Sequence, residues 1–111
     1  MIRKTFSVPP LGCNCSIIGD PITKQAIVVD PGGAPERILQ EGKAKLIIGA
    51  YQSSVTKPTS FVAERQKFPY LCAESSSAAL TERGLKYFFR IAPTDYHDTV
   101  MFFQFLDDMK K

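Results

Sequence analysis

The side chains able to grip a soft metal or act as nucleophiles are few: three cysteines, Cys13, Cys15 and Cys72, and a single histidine, His97, in 111 residues. Cys13-Asn14-Cys15 places two thiols one residue apart, and Cys72 with His97 would complete the four donors that tetrahedral zinc takes. Paired zinc cysteines are usually separated by two or more residues, and strand and turn packing accounts for this pair without a metal. No metal site and no cofactor are assigned. A cysteine nucleophile needs a base beside it, whereas His97 follows Asp95-Tyr96 at the start of the last helical stretch and reads as a solvated first-turn residue. Ser75-Ser76-Ser77 lacks the Gly-x-Ser-x-Gly elbow of serine hydrolases and reads instead as a serine cap for the turn after it. Asp30-Pro31-Gly32-Gly33 leads into a helix start, a place where amides bind anions. It lacks the longer glycine patterns of nucleotide sites, so its glycines read as turn geometry. The carboxylates Glu36, Glu41, Glu64, Glu82, Asp95, Asp98, Asp107 and Asp108 fall mostly on helix faces, where solvation is the ordinary state. No catalytic residue is assigned, and the chain is expected not to be an enzyme.

These residues must be positioned by a small fold. The composition, 44% hydrophobic and 23% charged, is that of one globular domain, residues 1–111. Fourteen Lys and Arg against 11 Asp and Glu give +3. They are scattered, so nucleic acid is not an expected partner. No apolar run reaches the roughly 20 residues of a membrane span, and Met1-Ile2-Arg3-Lys4-Thr5-Phe6 lacks a signal-peptide core. A cytoplasmic product with no membrane partner is expected. An odd number of cysteines suggests reduced thiols.

Apolar stretches bounded by turn residues predict strands at Thr5–Val8, Cys15–Ile18 and Ala26–Val29, an antiparallel meander broken at Pro9-Pro10-Leu11-Gly12 and at Gly19–Lys24. A short helix with proline in its first turn is predicted from Ala34 to Gly42. Leu46–Ala50, a serine-capped helix over Ser54–Gln66 and Pro69–Ala73 then form a βαβ unit. A short helical stretch at Ala78–Arg83, a stop at Gly84, a strand at Lys86–Ile91 and a closing helix from Thr94 to Met109 complete the chain. The expected fold is α/β: an N-terminal antiparallel β-meander joined near Gly42–Lys45 to a βαβ-type parallel layer of three strands, with flanking helices. Val100, Met101, Phe102, Phe103, Phe105, Leu106 and Met109 spread around more of the last helix than one buried stripe needs. A homo-oligomer, with exchange of segments between copies, would cover that excess.

Two resemblances follow from these residues. Val8-Pro9-Pro10-Leu11-Gly12-Cys13-Asn14-Cys15-Ser16 with Val29-Asp30-Pro31-Gly32-Gly33 resembles the start of the metallo-β-lactamase-fold hydrolases, nearest their glyoxalase II-like branch, over about residues 3–41. That family hydrolyses with a downstream His-x-His-x-Asp-His cluster, which this chain lacks. Leu46-Ile47-Ile48-Gly49-Ala50-Tyr51-Gln52-Ser53-Ser54, Pro69-Tyr70-Leu71-Cys72-Ala73-Glu74-Ser75-Ser76, Leu80-Thr81 and Tyr87-Phe88-Phe89-Arg90 resemble part of one lobe of type I periplasmic binding proteins for branched-chain amino acids. The resemblance implies that Gln52, Ser53, Ser54, Ala73, Glu74 and Ser75 hold a ligand's carboxylate.

Two unrelated families meeting near residue 43 imply a chimera of segments 1–42 and 43–111, recombined or designed, with a natural gene fusion the weaker reading. Fold likeness alone transfers no activity. The expectation is a protein with no native biochemical activity, whose property is folding and self-association. The alternative is a weak amino-acid or carboxylate binding module.

Overall fold

The structure, a computed structural model, describes residues 1–9, 12–33, 38 and 44–110. Its elements run β1 Ile2–Val8, β2 Cys13–Gly19, β3 Ala26–Val29, β4 Ala44–Ile48, α1 Ser53–Gln66, β5 Tyr70–Cys72, a 3₁₀ turn Ala78–Leu80, β6 Phe88–Arg90 and α2 Asp95–Met109. The helix expected from Ala34 to Gly42 lies outside the described residues, apart from Ile38, which is helical and buried. Among the described residues no helix is long and apolar enough to cross a membrane.

The period of two in the sequence becomes the pleat of one mixed sheet with order β1-β2-β3-β4-β5-β6. β1, β2 and β3 pair antiparallel, as the meander predicts. The Asp20 carboxylate ties the β2–β3 turn by accepting from the backbone N–H groups of Ile22 and Thr23 and from the Thr23 hydroxyl. β4, β5 and β6 are parallel, also as expected. The sequence leaves the strand order across the joint open. β3 pairs β4 in parallel, so the parallel layer has four strands rather than the three expected, and β1–β3 share one sheet with β4–β6. The outer ladder of β3 is unpaired within the meander, and a strand returning through a crossover can satisfy it only in the parallel sense.

Register decides what is core. Ile17, Val28, Ile47, Tyr70 and Phe88 stand opposite one another across five strands. They share one face with Cys15, Cys72 and Val8, and Ile38 and the α1 residues Val62 and Ala63 pack on that face. Because the parallel strands follow one another in a single direction and their connections are right-handed, every crossover helix is expected on this same side. α1 stops at Lys67, which adopts a left-handed conformation (φ 57°) and donates its N–H to the carbonyls of Ala63 and Glu64. The expected stop at Gly84 is likewise left-handed, φ 67°.

Two capping expectations fail. The residue before α1 is Gln52, and no side chain caps that helix. Ser77 precedes the 3₁₀ turn without a side-chain cap either, because the serine run is tied to the sheet edge rather than to the turn. Of the two described helices, α1 flanks the sheet, whereas α2 buries none of its residues.

Candidate functional site

In an open parallel sheet, loops leaving the carboxyl ends of the strands converge on a crevice where ligands bind. Here β4 feeds α1 through Gly49-Ala50-Tyr51-Gln52, β5 feeds the serine run, and β6 feeds α2 through Ile91-Ala92-Pro93-Thr94. The Asp95 N–H donates to the Ser76 carbonyl at 3.0 Å, which brings the start of α2 against the serine run. Thr94 and His97 fix that start with a capping box, Thr94 Oγ1 lying 2.7 Å from His97 Nδ1. The result is a cleft of about 490 Å³ lined by Tyr51, Gln52, Ser53, Ser54, Glu74, Ser76, Asp95 and Asp98.

Beneath the cleft lies a buried polar girder. Tyr70, fully buried, accepts the Ala50 N–H on its hydroxyl at 2.8 Å. The Ser75 hydroxyl donates to the Ala50 carbonyl at 2.6 Å, and Thr56 Oγ1 stands within hydrogen-bonding distance of both. Both backbone groups of Ala50 are thus held by side chains distant in sequence. A buried polar group costs ~1–3 kcal/mol if left unpaired, so the turn after β4 is positioned firmly.

Of the six residues implied to hold a carboxylate, Gln52, Ser53, Ser54 and Glu74 line the cleft. Ala73 does not, and Ser75 is fully buried with its hydroxyl committed to Ala50. Ser53 Oγ accepts the Ser77 N–H at 3.3 Å, tying α1 to the serine run. Sequence reasoning missed Tyr51, Ser76, Asp95 and Asp98. The two aspartates were legible as first-turn acids that suit a helix dipole, but nothing local revealed that they line one cleft with Glu74. The cleft therefore holds three carboxylates. It also holds the α1 start, which has neither a side-chain cap nor an acidic first-turn residue. A simple carboxylate meets both attraction and repulsion there.

The three cysteines lie in or against the core. Cys15 is fully buried among core residues, and desolvation, with the nearby Asp30 charge, pushes its thiol up from 9.0 to about 11. It therefore stays a neutral thiol at pH 7. Cys72 is also buried, its sulfur 3.7 Å from the Ser75 carbonyl. Among the described residues no group of three or more His, Cys, Asp or Glu side chains is placed to hold a metal ion.

Burial likewise raises the Tyr70 phenol from 10.0 to about 12. Stability contributed by these two neutral groups is fully present below pH 9.0 and is lost as pH rises through about 11 and then about 12, because the unfolded chain releases those protons first. Urea midpoints are expected to fall across that window. A midpoint that stays level from pH 9 to 12 would contradict the burial of both groups.

No protein-family model matches the sequence. An uncharacterized protein of Aquifex aeolicus (strain VF5) is 39% identical over 49 residues, which are 44% of this chain and 23% of that protein. The crystal structure of the BLEG-1 B3 metallo-β-lactamase is similar in fold, with TM-score 0.54 and 16% identity over 85% of this chain and 51% of that one. The chain thus spans about half the length of that structure and less than a quarter of the Aquifex protein. The metallo-β-lactamase likeness expected of the front is present, and 85% is more than residues 1–42 can supply, so it continues beyond the joint. This finding corrects the expectation that the chain is not an enzyme. The sheet is shared with an enzyme, and a missing histidine cluster in one segment does not set the fold apart from a catalytic one. The described residues do not fit the metal that the name metallo-β-lactamase implies.

Proposed function

We propose that the cleft at the carboxyl ends of β4, β5 and β6 binds a small amino acid weakly, the carboxylate at the start of α1 and the ammonium among Glu74, Asp95 and Asp98. One observation carries this reading: an uncapped helix start and three carboxylates line a single cleft. A helix N-terminus acts as roughly half a positive charge, and the three carboxylates outweigh it for any anion lacking a cation of its own. A zwitterion satisfies both. The cleft lies within the ~300–1,000 Å³ range of small-molecule sites. It is open to solvent, and a ligand left partly wet is held at about the millimolar level, near −4 kcal/mol.

On this reading the chain joins a metallo-hydrolase-like front to a back related to one lobe of a solute-binding protein, as a recombined product. The charges lining the cleft, and not that resemblance, select the ligand class. Titration of the folded chain with leucine, isovalerate and isoamylamine, followed residue by residue in an amide-resolved NMR spectrum, tests it. Leucine is expected to shift Gln52–Ser54 together with Glu74 and Asp95, and isovalerate to bind at least about tenfold more weakly, the cost of one lost charge-assisted hydrogen bond. Unmoved amides at Gln52–Ser54, Glu74 and Asp95, or isovalerate binding as well as leucine, would sink the reading.

A further inference from the structure

Over β3 to β6 the face of the sheet opposite the core is mostly apolar and carries no described helix. Val29, Ile48, Leu71 and Phe89 stand in one register row across β3 to β6, and Ile18, Ile27 and Leu46 in another. Phe89 is 54% exposed and Ile27 38%. A groove of about 640 Å³ lies over the second row, lined by Ile18, Ile27 and Leu46 with Met1 at its edge. Parallel strands are normally covered on both faces. Among the described residues no helix packs on this face.

The same chain holds a helix with no sheet to lie on. α2 carries Val100, Met101, Phe102, Phe103, Phe105 and Met109, all between 46% and 70% exposed. It stretches the molecule to 60 × 27 × 27 Å, with a radius of gyration of 16.4 Å, against ~13 Å expected for a compact chain of about this length. A helix of this size is marginal in water on its own. Its start is pinned by the Asp95–Ser76 hydrogen bond and the Thr94–His97 box, so its direction is set away from its own sheet.

We propose that α2 docks on the bare sheet face of a second copy of this chain, each copy giving its helix and receiving its partner's. The area suffices. At about 100 Å² per exposed side chain, on the scale of aromatic residues, the helix offers ~600 Å². Burying even half of its circumference reciprocally, with the two faces that receive it, removes ~1,200 Å² from water, the lower bound of stable interfaces. The arrangement is two-fold and closed, as exchanged segments in small proteins usually are.

Sedimentation equilibrium of the full chain is expected to give a dimer. Phe102→Asp on the donated helix and Phe89→Asp on the receiving face should each weaken it roughly 30-fold or more, as loss of a central apolar anchor does. Neither residue is buried in the core, so the amide spectrum of the sheet should survive both changes. Mixing the two variants should restore a dimer through the one interface that remains intact, Phe89→Asp copies donating wild-type α2 to the wild-type face of Phe102→Asp copies. A monomer at every concentration overturns the proposal, as it would if another segment or chain covers these surfaces. A dimer unmoved by either variant overturns it, and so does mixing without recovery.

Discussion

Tyr70→Ala is expected to abolish the cooperative unfolding transition. Among the described residues Tyr70 is the largest fully buried side chain; it stands fourth in the row that crosses five strands and tilts against Phe88 with ring centroids 5.5 Å apart. Removing a buried aromatic costs ~3–5 kcal/mol through lost contacts and the cavity left behind. The change also strips the Ala50 N–H of its partner, ~1–3 kcal/mol more. The sum approaches the whole stability of a small domain, ~5–15 kcal/mol. Tyr70→Phe separates the two effects, since it keeps the ring and loses only the hydroxyl, and should retain a sharp transition at lower denaturant. Chemical denaturation followed by far-ultraviolet circular dichroism reads both. If the alanine variant unfolds cooperatively within about 1 kcal/mol of the parent, well inside the smallest of these costs, then Tyr70 is not the centre of the core.

Gly49→Ala should be nearly as damaging, for a different reason. Gly49 has φ 112°, a conformation that side-chain-bearing residues avoid, and a Cβ there would lie 3.0 Å from Asp30 Cα and 3.1 Å from its nitrogen. Those are backbone atoms. They cannot rotate away, and they are held by the Asp30 N–H bond to the Ile48 carbonyl and the Gly49 N–H bond to the Leu71 carbonyl. Backbone strain of ~1–3 kcal/mol and overpacking of similar size add. Gly84→Ala is the control. Its φ is 67° and nothing lies within 4 Å of the added carbon, so only the left-handed strain of ~1–2 kcal/mol is expected. Equal losses for the two variants would show that the close approach of β3 to the turn after β4 costs nothing. Because that turn carries Tyr51 and Gln52 into the cleft, any folded Gly49→Ala protein should also bind leucine more weakly.

Much of the architecture was legible because it is written in neighbours. Alternation in Cys15–Ile18 and Ala26–Val29, the turn chemistry of Asp20-Pro21 and the helical stretch ending at Lys67 each depend on residues a few positions apart. The excess of apolar residues on Val100–Met109 was equally visible, and the exposed side chains of α2 are its structural form. The cleft was legible by half. Gln52, Ser53, Ser54 and Glu74 were named through a resemblance, while Asp95 and Asp98 passed as ordinary solvated carboxylates on a helix face. Ser75 was taken for a cap or a ligand contact, yet its hydroxyl faces inward to Ala50, 25 positions away.

The amino-acid order by itself therefore determined which segments are strands and helices, the antiparallel sense of the front and the parallel sense of the back, since periodicity and turn residues act over short spans. Only the tertiary structure decided that β3 and β4 pair, that the two parts form one sheet, and that three carboxylates and an uncapped helix start share a cleft. Those outcomes rest on ladder pairing and crossover handedness between residues tens of positions apart, where many partners satisfy the same local pattern and only the packed whole selects among them.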